Sequence, residues 1–190
     1  AKIQNSKYLV DDVQKKETKR NPYAAFTTSS MQIESSRKLG FSANQTMRTA
    51  QKLYEGTEIN GEPTGLITYM RTDSVMMSKD AIAEIRKYVS SKLGNEYLPK
   101  EYRVYKSKAK NAQEAHECIR PTSISLTPQI LKKYLNIFKF KLYEIIWQRA
   151  VSSQMASAII DQVSVNLSSE KKQVIFRSNG SSIKFPGMLA

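Results

Sequence analysis

The apolar residues of this chain change their spacing near residue 157, and that change constrains the fold most. Between about 27 and 156 they recur at helical spacing, as in Tyr143, Ile146, Trp147, Ala150 and Val151. Beyond Ile159 the period becomes two, because Val163, Val165 and Leu167 alternate with polar residues. Strand character also occurs near the start, at residues 8–10. The sequence therefore predicts an α+β fold with a mostly helical centre and strands at both ends.

Local signals place the individual elements. N-cap residues, apolar spacing and Gly or Pro stops predict helices at 27–39, from 42 onward, and at 78–94, 113–119, 127–135 and 140–155. Ser29 and Gln32 stand at capping-box spacing in the first helix. The second helix has a predicted core face of Met47, Ala50, Leu53 and Tyr54, and Trp147 of the last helix is a predicted core anchor. Residues 55–65 predict a polar loop, the charged run 15–20 a solvated linker, and Asn179-Gly180 a hairpin turn.

The charge balance indicates a polyanionic partner. The chain has 30 Lys and Arg against 17 Asp and Glu, a net charge of +13. Nucleic acid is favoured over an anionic membrane, since no basic amphipathic helix with a bulky apolar face stands out. No run approaches the roughly eighteen apolar residues of a spanning helix. The one cysteine, Cys118, has no internal disulfide partner, which favours an intracellular location. Because the chain starts without Met and stops within a strand pattern, we expect a fragment of a longer protein.

The segment 66–74, LITYMRTDS, carries the candidate chemistry. Its apolar run delivers Tyr69 and then Arg71 into a polar loop. A tyrosine hydroxyl is a weak nucleophile at neutral pH and needs positive charge or donors to stabilise the phenolate. Arg71 offers both, and its guanidinium also matches phosphate oxygens bidentately. The spacing alone leaves a second interpretation open, in which Tyr69 is a half-buried strand residue and Arg71 a solvated loop charge.

A resemblance narrows this choice. Residues 65–74, GLITYMRTDS, resemble the active-site signature of type IA DNA topoisomerases, closest to the bacterial topoisomerase I branch. Residues 26–32, FTTSSMQ, resemble the family's FTTSTLQ, and residues 115–122, AHECIRPT, resemble AHEAIRPT. The motifs agree in order and spacing over most of the chain. The departures at Ser30, Met31 and Cys118 touch no residue whose chemistry the reaction needs.

The resemblance implies a reaction and an architecture. Tyr69 would attack a DNA phosphodiester and hold the broken strand as a 5′-phosphotyrosine, with Arg71 as the phosphate-stabilising cation and His116 beside the nucleophile. Strand passage and religation would then relax negatively supercoiled DNA without ATP. A helical gate domain, residues 27–156, would be inserted into a β-rich domain formed by residues 1–26 and 157–190. The expected location is the bacterial cytoplasm, in association with the nucleoid, with no obligate protein partner.

The resemblance also implies a cofactor outside this chain. The family's Mg²⁺-binding carboxylates lie in a Toprim domain that would precede residue 1, so we expect no metal ligands here and no relaxation activity from this fragment alone. One histidine, one cysteine and no acidic cluster agree with that expectation.

Candidate DNA-binding residues fall in three groups. Thr68, Thr72 and Ser74 flank the nucleophile, where their hydroxyls would bind phosphate or cap the loop. Arg120 would contact DNA or form a structural ion pair. In the stretch 98–110 and the residue just before it, Tyr97, Tyr102 and Tyr105 are interleaved with cations. This is the composition of a single-strand contact surface or of a solvated loop. Its candidate contacts are Lys100, Arg103, Lys106, Lys108 and Lys110.

Other functions remain as alternatives. A non-catalytic basic module would bind single-stranded nucleic acid and use Tyr69 only for packing. A tyrosine recombinase also combines tyrosine, arginine and histidine, but it usually has several arginines and places the tyrosine after the histidine. The sequence does not separate topoisomerase I from a topoisomerase module of reverse gyrase.

Overall fold

The computed structural model describes residues 6–106, 116–170 and 172–190. The chain divides into two compact units, one made of residues up to Asn21 together with those from Ser157 onward, the other Pro22–Ala156. The first unit is a sheet and the second is mostly helical, so the predicted α+β class is confirmed. The assignment of 1–26 with 157–190 and of 27–156 as domains of a larger protein remains a prediction.

The sheet unit is three-stranded and antiparallel, in the order β1-β4-β5. Strand β1 spans Tyr8–Arg20, β4 spans Ala158–Ser169 and β5 spans Ile175–Phe185. β1 pairs with β4 along its length, from Tyr8 opposite Ser169 to Arg20 opposite Ala158, with a bulge between Val10 and Asp12. The predicted linker at 15–20 is therefore wrong, because its residues form part of a paired strand, although most of their side chains remain exposed.

The predicted hairpin turn at Asn179-Gly180 is also wrong. These residues lie inside β5, where Asn179 pairs with Ser164 and Gly180 with Val163 of β4. A turn of this kind occurs instead within 55–65, where β2 (Thr57–Ile59) and β3 (Glu62–Thr64) form a two-stranded hairpin. Asn60 and Gly61 connect them with φ of 53° and 88°, the left-handed values that an Asn-Gly hairpin turn requires. The Asn-Gly turn therefore occurs at residues 60–61, whereas Asn179-Gly180 is part of a strand.

The helical unit contains α1 (Thr28–Leu39), α2 (Ala43–Glu55), α3 (Lys79–Lys92), the short α4 (Pro128–Leu131) and α5 (Ile137–Ser153). Side chains of Thr27, Ser42, Ser78, Thr127 and Asn136 cap their N-termini. The capping box of α1 joins Thr27 to Ser30, not Ser29 to Gln32, while Gly40 ends the helix as predicted. Among the described residues, no helix combines the length and apolar character needed to cross a bilayer.

One hydrophobic core holds the helical unit together. Met31, Leu53, Ile67, Leu142 and Ile146 are among its fully buried members. Trp147 packs against this core and donates its indole N–H to the Ile124 carbonyl, which confirms its predicted anchoring role.

The predicted helix at 113–119 is wrong over its described part, 116–119. Ile119 forms an isolated antiparallel bridge with Phe26, and Pro121 forms another with Ile67. The segment 116–122 is therefore extended and lies between the motif that starts α1 and the tyrosine segment. Its backbone pairs with distant partners and leaves no hydrogen bonds for a helix.

Candidate active site

The tyrosine segment is an extended loop fixed on both sides by backbone hydrogen bonds. On one side the Leu66 N–H donates to the Leu53 carbonyl of α2 at 2.8 Å. On the other, the Thr68 N–H donates to the Arg120 carbonyl at 2.9 Å, and the Thr122 N–H donates to the Leu66 carbonyl at 3.0 Å. It is not a regular strand, because its only strand-type pairing among the described residues is the isolated bridge between Ile67 and Pro121.

Two threonine hydroxyls fasten this loop. The Thr68 hydroxyl donates to the Cys118 carbonyl at 2.7 Å and accepts the Arg120 N–H at 3.0 Å. The Thr28 hydroxyl, in the first turn of α1, donates to the Met70 carbonyl at 2.8 Å and accepts the Thr72 N–H at 2.9 Å. The backbone on both sides of Tyr69 is thus held by side chains that satisfy a donor and an acceptor at once.

Buried and exposed residues alternate along the second half of the loop. Leu66, Ile67 and Met70 have at most 1% of their surface exposed, whereas Tyr69 is 39% exposed and Arg71 is also exposed. The apolar residues anchor the loop in the core and leave the two chemically interesting side chains available to a ligand.

Two aromatic rings flank Tyr69. The Tyr54 ring of α2 meets it edge-on with centroids 5.4 Å apart, and the His116 imidazole is tilted against it at 5.8 Å. Both distances lie in the range of favourable aromatic pairs. Motifs almost fifty residues apart in the sequence therefore meet at the tyrosine, and His116 lies beside it. Tyr54, predicted as a core residue, is 41% exposed and belongs to the site.

Arg120 forms the structural ion pair that the sequence left open. Its Nε and Nη2 lie 2.7 and 2.6 Å from Glu117 Oε2, and its Nη1 donates to the Pro121 carbonyl at 2.9 Å. This arrangement orders the extended segment next to His116. Cys118 between them is buried, and desolvation raises the pKa of its thiol to about 12, so the thiol stays protonated and unreactive at neutral pH.

The hydroxyls after the nucleophile cap the loop. Thr72 Oγ1 accepts the Ser74 N–H at 3.0 Å, and Ser74 Oγ accepts the Met76 N–H at 3.1 Å. Both residues are at most 8% exposed. These contacts match the capping alternative for Thr72 and Ser74, and Thr68 is likewise occupied in fastening the loop.

Comparison with known proteins identifies the family. A model of the DNA topoisomerase family matches residues 1–190. The chain belongs to this family.

Individual topoisomerases match over nearly the whole chain. The chain is 54% identical over 186 residues to DNA topoisomerase 1 of Rickettsia typhi, covering 98% of this chain and 24% of that protein. It is 49% identical to DNA topoisomerase 1 of Xylella fastidiosa, covering 95% of this chain and 22% of that protein. Full-length topoisomerase I from Thermotoga maritima matches with a TM-score of 0.86 and 35% identity, over 98% of this chain and 30% of that one. The chain thus spans about a quarter of the length of its curated topoisomerase relatives.

The basic stretch of this topoisomerase chain is partly used for structure. Arg103 donates from Nε to the Met155 carbonyl at 2.9 Å, and the Tyr105 hydroxyl donates to the Ser153 carbonyl at 2.9 Å, where burial raises the tyrosine pKa. Lys100 and Lys106 are exposed, as is 45% of Tyr102. Lys108 and Lys110 lie outside the described residues. As DNA contacts, these side chains remain predictions.

The residues present do not fit the divalent metal that the topoisomerase resemblance implies. Within 6–106, 116–170 and 172–190 there is no group of three or more His, Cys, Asp or Glu side chains that could hold a metal ion.

Gly65 sets how closely the tyrosine loop approaches α2. A Cβ at this position would lie 2.9 Å from the Tyr54 carbonyl oxygen, which is closer than real Cβ contacts.

We expect Gly65→Ala to push the loop away from α2, to lower the free energy of unfolding by about 1–3 kcal/mol and to slow DNA cleavage. Thermal unfolding and a cleavage time course measure the two effects. Gly180→Ala is the matched control, because a Cβ there meets nothing within 4 Å. Equal behaviour of the two variants would mean that the close approach at Gly65 does not position the loop.

Proposed function

We propose that this chain is the tyrosine-bearing gate region of a bacterial type IA topoisomerase, and that it cleaves and rejoins one strand of DNA. The observation that carries the proposal is the position of Tyr69. Its half-exposed ring lies between Tyr54 and His116, on a loop whose next exposed cation is Arg71. A rigid loop that presents a tyrosine and an arginine to solvent suits covalent attack on an anionic ester.

The reaction is a pair of transesterifications. Tyr69 Oη attacks the phosphorus of a DNA phosphodiester, the bond from phosphorus to the 3′-oxygen breaks, and a 5′-phosphotyrosine forms. The phenolic proton leaves to solvent and the departing 3′-oxygen takes one up. Attack of that 3′-hydroxyl on the phosphotyrosine reverses the step. Because one ester replaces another, no ATP is consumed, and passage of a second strand between the two steps relaxes negative supercoils.

Arg71 and His116 have distinct roles in this proposal. The Arg71 guanidinium binds the non-bridging oxygens, whose charge grows in the transition state, through charge-assisted hydrogen bonds. The His116 imidazole donates a hydrogen bond to the same phosphate and holds the tyrosine ring in place. The Thr68 and Thr28 hydroxyls hold the loop backbone on both sides of Tyr69, which supports a fixed position for the nucleophile.

Other parts of the proposal concern the complete protein. Mg²⁺ would be held by carboxylates outside this chain, the substrate would be mainly single-stranded DNA, and the enzyme would act on DNA in the bacterial cytoplasm. Phosphate neutralisation by the excess of Lys and Arg would supply affinity that does not depend on sequence and falls with salt.

The polarity of the covalent link tests the proposed function. The complete enzyme is incubated with an oligonucleotide labelled at its 3′ end, denatured, and digested with a protease. We expect the label on the peptide that contains Tyr69, because a 5′-phosphotyrosine retains the downstream piece of the strand. The same oligonucleotide labelled at its 5′ end should leave the protein unlabelled. Transfer of the 5′ label would reverse the polarity, and salt-dependent binding without any adduct would favour the non-catalytic module.

A further inference from the structure

We propose a second DNA-binding site in the helical unit, in a cavity between one face of α2 and the N-terminal end of α5. The cavity has a volume of about 320 Å³ and is bordered by Arg48, Lys52 and Lys139. We infer that it takes the phosphate backbone of a single-stranded DNA segment other than the nucleotides bound at Tyr69. The assignment of DNA as ligand rests on the proposed function, whereas the site itself rests on the following contacts.

The charge of the cavity is of one sign. Its three cations face no Asp or Glu among the lining residues. Within the described part of the chain Arg48 and Lys52 are exposed and form no ion pair, and the acidic residue that follows them on α2, Glu55, accepts a hydrogen bond from Gln51 at 2.6 Å. Lys139 is half-buried, and its Nζ donates to the Thr57 hydroxyl at 3.3 Å, which holds its charge at the cavity. Uncompensated cations that line one concavity attract phosphate.

The rest of the lining favours nucleic acid over a small anion. Phe138 contributes an aromatic ring that is 49% exposed and is supported from behind by Phe41, with centroids 5.8 Å apart. Asn44, Gln45 and Asn136 add amide groups. Cations with an exposed, supported aromatic ring are the combination on which single-stranded nucleic acids bind, with bases stacked on the ring and phosphates on the charges.

The position of the cavity separates it from the tyrosine. Arg48 and Lys52 are four residues apart on α2 and therefore lie on one face of the helix. Tyr54, which contacts Tyr69, is two residues beyond Lys52, about 200° around the helix. The cavity and the nucleophile thus lie on opposite sides of α2. A strand in the cavity is held apart from the reacting phosphate, as a strand waiting to pass or a distal part of the cleaved strand would be.

Salt-dependent binding tests this site in the complete enzyme. The variant Arg48→Ala/Lys52→Ala is compared with Lys87→Ala/Lys132→Ala, which removes the same charge from exposed positions outside the cavity. Fluorescence anisotropy with a labelled oligothymidylate is measured over a range of salt concentrations. Loss of two phosphate contacts should reduce the slope of log affinity against log salt by about 1.4 in the cavity variant, and the control should keep the wild-type slope. Equal slopes in both variants would overturn the proposal.

Two further measurements identify the ligand and separate this site from the proposed function. Phe138→Leu should weaken oligothymidylate binding about tenfold, because a stacking ring is lost. Inorganic pyrophosphate, at matched ionic strength, should not displace the oligonucleotide. Displacement from the wild type but not from Arg48→Ala/Lys52→Ala would assign the cavity to free phosphates instead of DNA. The Tyr69 adduct should still form in the cavity variant. If the wild-type enzyme formed no adduct, the proposed function would be refuted. An unchanged salt slope in the cavity variant would refute only the second site.

Discussion

Tyr69→Phe is expected to abolish the covalent protein–DNA adduct while the protein stays folded and binds DNA. The substitution removes one hydroxyl, which makes no hydrogen bond to any described residue. The ring that packs against Tyr54 and His116 is retained. The substitution therefore removes only the proposed nucleophile. Denaturing gel electrophoresis after incubation with a cleavable oligonucleotide measures the adduct, and circular dichroism measures the fold.

Tyr54→Phe is the matched control for this experiment. Tyr54 is as exposed as Tyr69 and its ring lies 5.4 Å away, so it is the natural competitor for the role of nucleophile. We expect the Tyr54 variant to form the adduct at a level close to wild type. An adduct that survives in Tyr69→Phe and disappears in Tyr54→Phe would assign the chemistry to Tyr54.

The second large effect is expected for Arg71→Ala, which should slow cleavage by about a hundredfold or more. The guanidinium is exposed and is proposed to bind phosphate oxygens whose charge increases in the transition state. Its loss should therefore act on the chemical step more than on affinity. Single-turnover cleavage at saturating DNA isolates that step. His116→Ala should slow cleavage less, because it removes one hydrogen bond to the phosphate, whereas Arg71→Ala removes a charged, bidentate contact.

Two variants make the arginine experiment specific. Arg71→Lys keeps the charge but loses the planar fork, so we expect only partial recovery of the rate. Arg37→Ala removes an exposed arginine in the last turn of α1 and should cleave normally. If Arg71→Ala cleaved at the wild-type rate and only bound DNA more weakly, Arg71 would be a simple backbone contact.

The fold was predictable from sequence wherever local chemistry decides the structure. The starts of α2 and α3 at Ser42 and Ser78, and the end of α1 at Gly40, follow from side-chain caps and a left-handed glycine. The strand pattern after residue 157 follows from apolar alternation and matches β4. Such signals need no knowledge of distant residues.

Predictions failed where distant partners decide the structure. The charged run 15–20 is a strand because β4 offers its backbone a complete ladder, which no local signal reveals. Asn60-Gly61 and Asn179-Gly180 have the same turn propensity, and only pairing with Ser164 and Val163 makes the second pair part of a strand. Likewise, the 116–119 segment is extended because the Phe26 carbonyl accepts the Ile119 N–H and the Met76 carbonyl accepts the Cys118 N–H.

The sequence predicts candidate site residues, but it does not predict the contacts that hold them in place. The motifs placed Tyr69, Arg71 and His116, and the contact between Tyr69 and His116 brings two of them together. Thr28, Tyr54 and Glu117 were missed as parts of the site, since their contributions are contacts with residues far along the chain. Thr28, for example, donates a hydrogen bond to the Met70 carbonyl 42 residues away, and no local sequence pattern indicates that contact.

The hydrogen bonds that fasten the tyrosine loop also set the order in which the site is assembled. They join Thr28 to Met70, Thr68 to Cys118, and Phe26 to Ile119, partners separated by 42, 50 and 93 residues. Contacts of such separation require large loops to close first, and they form late when a chain folds. A nascent or partly unfolded chain therefore contains Tyr69 and Arg71 but lacks the folded geometry of the site. If Tyr69 attacks DNA as proposed, only molecules whose helical unit has finished folding have the geometry for that attack.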